Sequence, residues 1–356
     1  MASAMVASSS LFGTPSFTRA DGEVDRGLSW LARHTDRDAM TATVWFAPDP
    51  SRRFPLAALR AIVRARHQLD LGFDAGPEAF SAMVAARTLA RRGWGAVHAR
   101  ALCRTFAENH WNLRFRFFHG GNGFAADTDC TSVALAALFE SRQLGAAQLL
   151  EGARQLIDSG AAAGGPLRPD VVLVYWDDGR EPDVGPRGLK QDPAVATNVL
   201  YAVLLAVEAG LSDPRLEHFL GANLAYVRDA LADPMQVRTR YYPSRDTMLW
   251  FAAELCARFK VARAALGRAL REAVLARLRA AGTSGDCLEL AMRLGAATAM
   301  GISTPSLDVA LAAHQRVTGE FGAGAFFTLG RLPGLCFGGE GLTTAIASAS
   351  LSPGER

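Results

Sequence analysis

The sequence lacks the cysteine spacing that disulfide-stapled domains and thiolate metal sites need. Its five cysteines are odd in number, lie far apart and include no CxxC pair: Cys103, Cys130, Cys256, Cys287 and Cys336. Disulfide frameworks and thiolate zinc sites use paired cysteines at close spacings. We therefore expect free thiols, no metal centre and a cytoplasmic location.

A membrane-spanning segment is also missing. The longest apolar run begins at Asn198 and is interrupted by Glu208, well short of the roughly 20 residues that a helical span needs. The N-terminus has no basic region followed by a continuous apolar stretch, so it does not predict a signal peptide. We expect no transmembrane segment, leave peripheral membrane contact open, and interpret residues 1–20 as a flexible tail.

Neither sign of charge dominates. The chain has 38 Lys and Arg against 35 Asp and Glu, a net charge of +3, and its basic residues are scattered among acidic ones. Nucleic-acid-binding proteins concentrate positive charge on one face. The charge pattern therefore excludes nucleic acid as the expected partner.

Alternating β-branched runs are nearly absent. The exception, residues 169–182 (PDVVLVYWDDGREP), predicts a short extended segment that ends in an Asp-Gly turn. Elsewhere the periodicity is helical, and segments that are apolar on nearly every face begin at Asp129, Asp192, Asp246, Asp286 and Gly341. Segments with charged stripes alternate with them, for example residues 146–160, 214–233 and 261–282.

A helix that is apolar all round must be buried, whereas one with a polar face borders water. Two concentric rings of helices satisfy both conditions, and further helical segments upstream bring the number of pairs to about six. The pattern predicts an all-α fold, an (α/α)6 toroid, with residues 21–356 as one domain. A solenoid of stacked helix pairs is the alternative.

Two carboxyl groups stand at the start of one apolar helix, in residues 125–138 (AADTDCTSVALAAL). One Asp is explained as an N-cap, since its oxygen can accept hydrogen bonds from the first turn. We expect Asp127 to precede the helix and Asp129 to sit at its cap, with both facing a cavity. A carboxyl that a dry pocket keeps protonated, and whose conjugate base is well stabilised once formed, can protonate a carbon–carbon double bond.

The stretch DTDCT, from Asp127 to Thr131, resembles the Asp-x-Asp-Asp-Thr and Asp-x-Asp-Thr-Thr signature of class II terpene cyclases, the relatives of squalene-hopene cyclase. The likeness extends over about residues 110–351. It implies protonation-initiated cyclisation of a linear isoprenoid, with Asp129 as the general acid, Asp127 as its partner and Thr131 as a hydrogen-bonding support. No cofactor is needed for the protonation.

The sequence departs from this signature at Cys130, where the family usually has Asp or Thr. That change removes a hydrogen-bonding group beside the acid. His119 is near enough in sequence to orient the acid or to accept a proton, so both residues are candidates for supporting it.

A carbocation needs a lining that stabilises positive charge without attacking it, and aromatic faces provide one. The candidates for this lining stand at or near the inner helices: Trp111, Tyr175, Trp176, Tyr242, Trp250 and Asn198. Basic residues beside the same linkers are candidates for clamping a diphosphate, namely Arg114, Arg116 and Arg240. Mg²⁺ is expected only if the substrate carries a diphosphate.

Three other functions remain open. Asp177, Asp178 and Glu181 fit the DDxxE pattern by which class I terpene synthases bind magnesium and ionise a diphosphate. Protein prenyltransferases share the toroid but bind zinc through Asp and Cys two positions apart, a spacing absent here. The third is a non-catalytic isoprenoid-binding protein. Full-size squalene cyclases use two barrels with the active site between them. Here either the single toroid encloses the whole cavity, or a partner chain, such as a second copy in a homodimer, supplies a wall.

Overall fold

The structure is a computed structural model that describes residues 19–36, 40–47, 49–73, 75–120, 123–162, 165–176, 178–233, 239–330 and 332–351. The predicted tail lies mostly outside these residues, and its last two positions, Arg19 and Ala20, already belong to the first helix.

The described residues are mostly helical. Their helices are α1 (Arg19–Arg33), α2 (Leu59–His67), α3 (Phe80–Ala90), α4 (Ala96–Phe106), α5 (Thr128–Glu140), α6 (Ala146–Asp158), α7 (Pro193–Glu208), α8 (Leu216–Ala232), α9 (Arg245–Arg258), α10 (Lys260–Ala281), α11 (Cys287–Ala299), α12 (Pro305–Ala313) and α13 (Glu340–Leu351). The strands are β1 (Thr43–Phe46), β2 (His110–Trp111), β3 (Arg114–Phe115), β4 (Phe327–Leu329) and β5 (Leu332–Gly338).

Six apolar helices form the centre of the fold: α3, α5, α7, α9, α11 and α13. Each packs against the next in this order, and α13 packs back against α3. In α7 every residue from Pro193 to Ala206 is buried, as the absence of a polar stripe requires. The hydrophobic core therefore lies along and between these six helices.

The remaining long helices pack outside the central six. Helix α4 contacts α3 and α5, α6 contacts α5 and α7, α8 contacts α7, α10 contacts α9, α12 contacts α11, and α1 contacts α13. In α10 the buried residues follow helical spacing on one stripe, for example Ala262, Leu266 and Leu270, while charged residues occupy the other faces. Among the described residues, no helix has both the length and the apolar character needed to cross a bilayer.

The fold contains more sheet than the sequence indicates. Strand β5 pairs with β1 and β4 in an antiparallel sheet, and β2 and β3 form a small hairpin. The predicted extended segment, by contrast, forms no strand; it holds only a β-bridge between Val172 and Gly160. Its backbone N–H groups bond to separate elements, Leu173 to Ser159 and Val174 to Lys190, instead of to one neighbouring strand.

A buried ion cluster joins three of the helices. The carboxylate of Asp246, at the start of α9, accepts hydrogen bonds from Arg277 of α10 at 2.7 and 3.0 Å and from Arg293 of α11 at 2.7 and 3.2 Å. Asp246 is fully buried and Arg293 is 1% exposed. Removing one member of such a cluster leaves an uncompensated buried charge.

We expect Asp246→Ala to lower the free energy of unfolding by about 3–5 kcal/mol, because both arginines lose their carboxylate. Urea denaturation followed by circular dichroism measures this change. The matched control is Arg268→Ala, which removes an exposed pair with Glu272 and should change the stability by less than about 0.5 kcal/mol. Equal losses of stability from the two substitutions would contradict the stabilising role of the buried ion cluster.

Candidate active site

A cavity of about 410 Å³ lies where the central helices α3, α5 and α7 begin. Phe80, the first residue of α3, Asp129 in the first turn of α5 and Val195 in the first turn of α7 all line it. The full lining consists of Leu71, Phe73, Phe80, Phe117, Phe124, Asp127, Asp129, Cys130, Val174, Tyr175, Arg187, Gly188, Leu189, Lys190, Val195, Arg240, Tyr241, Tyr242, Phe327, Thr328, Leu329 and Gly330. The size suits a small-molecule ligand.

The two carboxyls at the start of α5 do not occupy the positions relative to the helix cap that the sequence analysis predicted. Asp127 is the N-cap: its side chain accepts a hydrogen bond of 2.7 Å from the N–H of Cys130. Asp129 lies inside the first turn, so the expectation that it sits at the cap is wrong. Because Asp127 satisfies the first turn, the oxygens of Asp129 are left to other partners.

Asp129 is held from both sides. Asn198 donates from Nδ2 to Oδ1 of Asp129 at 2.8 Å, and the hydroxyl of Tyr242 forms a short hydrogen bond with Oδ2. Asp129 is 8% exposed, and burial raises its pKa above the ordinary value, while the hydrogen bonds from Tyr242 and Asn198 act in the opposite direction. The carboxyl is therefore biased towards its neutral form, and its anion has two donors ready.

Asp127 is also buried, and burial raises its pKa to about 7, with the negative charge of Asp129 adding to the effect. Its hydrogen bonds from the N–H of Cys130 oppose the shift. The thiol of Cys130 lines the cavity next to both carboxyls, and burial raises its pKa well above the ordinary value. Burial therefore shifts all three groups towards their neutral states.

Arg87 completes this network, and the sequence analysis missed it. Its Nη1 donates to Oδ1 of Asn198 at 2.8 Å, and the residue is 3% exposed. The signal that would have identified it is an arginine in the middle of the otherwise apolar helix α3, because an arginine is almost never fully buried without a partner.

Several predicted residues do line the cavity. Tyr175, Tyr242 and Arg240 belong to its wall, together with the two aspartates. Asn198 reaches the site through its bond to Asp129. Tyr242 therefore contacts Asp129 itself, a more specific position than the general cation lining expected from the sequence.

Trp111, Trp176 and Arg114 form a separate stack outside the described cavity lining. The guanidinium of Arg114 lies 4.5 Å from the ring centroid of Trp176 and 5.5 Å from that of Trp111. Arg114 also donates to both oxygens of Asp178, at 2.8 and 3.1 Å. The stack ties hairpin β2–β3 to the segment that follows Trp176.

The carboxylates of the DDxxE pattern are engaged by the arginines proposed to clamp a diphosphate. Asp178 is bound by Arg114, and Glu181 accepts from Arg116 at 2.7 Å and from the N–H of Ala126 at 2.8 Å. Asp177 lies outside the described residues. Within the described part of the chain, no group of three or more His, Cys, Asp or Glu residues could hold a metal ion.

Three further predicted residues contact other parts of the fold. The hydroxyl of Thr131 accepts a hydrogen bond of 2.8 Å from the N–H of Phe115, so it fastens β3 to α5. Trp250 is 2% exposed and packs against Gly295 of α11. The N–H of His119 donates to the carbonyl of Pro77 at 2.9 Å. None of the three is part of the described cavity lining.

Further aromatic rings line the cavity beside those of Tyr175 and Tyr242. Phe80, Phe117, Phe124, Tyr241 and Phe327 line the cavity. The ring centroids of Phe117 and Phe327 are 4.7 Å apart in an edge-to-face arrangement, although the two residues are far apart in sequence. The rings come from several segments that are distant in sequence, and only the fold brings them together.

Three cationic side chains also line the cavity, from two separate loops: Arg187, Lys190 and Arg240. The guanidinium of Arg187 lies 4.2 Å from the ring centroid of Phe124 and 5.5 Å from that of Tyr175. Arg187 and Arg240 have no ion pair with a carboxylate in the part of the chain that the structure describes. We call these three residues the cationic rim.

Among curated proteins, the chain resembles drimenol cyclase drtB from Aspergillus calidoustus, with 29% identity over 185 residues. The match covers 51% of this chain and 31% of that enzyme, so it spans about a third of the relative's length. No family model matches the sequence.

Solved structures are similar over nearly the whole chain. The type II (class II) terpene cyclase MstE from Scytonema aligns with a TM-score of 0.60 and 12% identity, covering 93% of this chain and 96% of MstE. The chain has the type II terpene cyclase fold. A variant of MstE, solved with its substrate geranylgeranyl dihydroxybenzoate, aligns with a TM-score of 0.61. A protein from Actinoplanes aligns with a TM-score of 0.60 and 18% identity over 93% of this chain and 98% of its own.

The raised pKa of Asp127 generates a prediction for the stability of this type II cyclase fold. A raised carboxyl pKa means that the folded state binds a proton more tightly than the unfolded state, so stability falls as the pH rises from about 4 to about 7 and then levels off. We expect Asp127→Asn to make this fall shallower, because the Asn side chain does not titrate. The helix cap should be retained, since Asn caps a helix about as well as Asp.

The measurement is urea denaturation of both proteins between pH 4 and pH 8. A variant whose stability falls with pH as steeply as that of the unchanged protein would show that Asp127 does not carry the effect.

Proposed function

We propose that the protein is a class II terpene cyclase that starts cyclisation by protonating a double bond of a linear isoprenoid with Asp129. One observation carries this proposal: a buried carboxyl faces an aromatic cavity while two hydrogen-bonding partners hold it. The closed packing of six central helices with six further helices outside them supports an (α/α)6 toroid around this cavity. The resemblance of DTDCT to the family signature agrees with both.

The chemistry follows from the state of the acid. The O–H of neutral Asp129 gives its proton to one carbon of the double bond, whose π electrons form the new C–H bond. The O–H electrons stay on the carboxylate, and positive charge develops on the other alkene carbon. The side chains of Asn198 and Tyr242 then stabilise the new anion, which strengthens the acid without requiring it to be ionised beforehand.

The lining favours propagation of the cation over its capture. The faces of Phe80, Phe117, Phe124 and Phe327 offer negative quadrupole charge to a cation and carry no lone pair that could attack it. Successive double bonds then close rings, and loss of a proton from carbon ends the reaction. This sequence of steps makes the product an isomer of the substrate.

The decisive test is incubation with farnesyl, geranylgeranyl and longer polyprenyl substrates, followed by mass spectrometry of the extracts. We expect a cyclised isomer from the unchanged protein and none from Asp129→Asn, which cannot donate an acidic proton. Tyr242→Phe should lower the rate about 10-fold or more, since one hydrogen bond to the anion is lost.

Thermal unfolding followed by circular dichroism checks that both variants fold. Cyclisation by folded Asp129→Asn would overturn the proposal. Binding of the substrate without cyclisation by the unchanged protein would favour a non-catalytic isoprenoid-binding protein, and release of inorganic diphosphate would favour ionisation chemistry.

We further propose that the substrate carries a diphosphate that stays on the product, and that the cationic rim binds it. Guanidinium groups suit phosphate oxygens because they donate in a planar fork. Of the three arginines that the sequence analysis selected for this role, Arg240 alone lines the cavity, and Arg114 and Arg116 are occupied by carboxylates. Mg²⁺ would serve only as a counter-ion of the diphosphate.

The double variant Arg187→Gln/Arg240→Gln should raise KM for a prenyl diphosphate about 10-fold or more, while KM for the corresponding prenyl alcohol stays unchanged. Steady-state kinetics with the two substrates measure the difference. Arg180→Gln is the control, because its side chain is 70% exposed and lies outside the described lining. Equal losses with the diphosphate and the alcohol would contradict a role in binding the head group.

A further inference from the structure

Arg87 occupies a place where an arginine is costly. It lies on α3 among apolar neighbours, is 3% exposed, and does not belong to the described cavity lining. Its guanidinium lies 5.1 Å from the ring centroids of both Tyr201 and Phe251. A buried guanidinium needs compensating partners, and its direct hydrogen bond in this environment goes to Asn198.

The bond between Arg87 and Asn198 determines how the amide of Asn198 is oriented. An arginine can only donate hydrogen bonds, whereas an asparagine amide has one accepting end and one donating end. With Arg87 donating to Oδ1 of Asn198 at 2.8 Å, the NH2 end must face Asp129. Without that donor, the amide could turn and present its oxygen to the acid.

The orientation of the amide in turn determines where the acid proton resides. Because Nδ2 of Asn198 donates to Oδ1 of Asp129 at 2.8 Å, Oδ1 must act as an acceptor. The amide nitrogen can only donate, whereas the hydroxyl of Tyr242 at Oδ2 can either donate or accept, so the proton of the neutral carboxyl is placed on Oδ2. A turned amide would instead accept that proton in a hydrogen bond and hold it away from the substrate.

We propose that Arg87 is a positioning residue that acts through Asn198 to keep the acid proton on Oδ2 of Asp129, available for donation to the double bond. The proposal rests on the proposed function. It assigns a role in the reaction to a residue whose hydrogen-bonded connection to the acid runs through another side chain.

The charge of Arg87 acts in the same direction as its hydrogen bond. A positive charge near Asp129 stabilises the anion that remains after proton transfer, and it lowers the pKa of Asp129 against the effect of burial. The titratable groups around the acid are Asp127 at the cap of α5, Cys130 in its first turn, Tyr242 before α9 and Asp192 at the cap of α7. Those around Arg87 are Tyr201 on α7, Glu140 on α5 and Glu254 on α9.

The first test is Arg87→Met, which replaces the guanidinium by an apolar chain. We expect kcat to fall about 10²-fold with KM nearly unchanged, because Arg87 lies outside the lining. The alkaline limb of the pH profile of kcat should move to higher pH, since the acid loses a stabilising positive charge. Merely loosened packing would not move that limb upwards.

Arg87→Lys provides a second test that does not depend on the Met variant folding. A lysine keeps the positive charge and can only donate, so the amide of Asn198 should keep its orientation. We expect kcat within about threefold of the unchanged enzyme and an unmoved alkaline limb. A folded Lys variant as slow as Arg87→Met would overturn the proposal.

A double-mutant cycle tests whether Arg87 acts through Asn198. If it does, the loss in the double variant Arg87→Met/Asn198→Leu should be well below the product of the two single losses, since the hydrogen-bonded link is already broken and only the charge effect of Arg87 remains. Additive losses would show that Arg87 acts independently, and would sink the assignment. The control is Arg91→Met, at the residue that follows the end of α3. The guanidinium of Arg91 donates to Glu254 at 2.7 Å, and the alkaline limb of this variant should not move.

The two proposals fail in different ways. An unchanged protein that cyclises none of the substrates would overturn the proposed function, and the role of Arg87 with it. An active protein in which Arg87→Met leaves both kcat and the pH profile unchanged would overturn the role of Arg87 alone.

Discussion

A carboxyl group enclosed in an apolar cavity is unstable as an anion, and this constraint organises the site. Desolvation favours the neutral form of Asp129, while the bonds from Asn198 and Tyr242 favour the anion. An acid for a reluctant base such as an alkene needs both effects: the proton must be present before reaction, and the anion must be stabilised after it. The helices around Asp129 bury it, which supplies the first effect, and residues Asn198 and Tyr242 supply the second.

The division of work between Asp127 and Asp129 follows from the geometry of a helix N-terminus. The first turn leaves unpaired N–H groups, and Asp127 accepts one of them as the N-cap. That leaves Asp129, two residues later, inside the turn, with oxygens that can face the cavity instead of the backbone. One carboxyl secures the helix, and the second faces the cavity.

The arginines near the cavity also fall into two groups, according to whether a carboxylate pairs with them. Arg114 forms an ion pair with Asp178, and Arg116 forms one with Glu181. Both arginines therefore hold loops in place instead of facing a ligand. The cationic rim lines the cavity itself, where positive charge can act on a ligand. Sequence proximity to a linker therefore says little about function, because the presence of a carboxylate partner decides whether an arginine is available.

The amino-acid sequence by itself determined the helical architecture, the apolar character of the central helices and the segment that holds the acid. These follow from periodicity and from the capping residues Asp192 and Asp286, which are local signals. The sheet formed by β1, β5 and β4 was not foreseen, since strands β1 and β5 are nearly 300 residues apart and β5 contains Pro and Gly.

The tertiary structure alone decided which side chains meet at the acid. Arg87, Asn198 and Tyr242 come from three different segments, and nothing in their local sequence indicates that they converge on Asp129. The same holds for the aromatic lining and for the cationic rim. Local patterns predict which face of each helix is buried and which is exposed to water. A site depends on how the helices are placed relative to one another, and long-range packing that no single segment encodes fixes this placement.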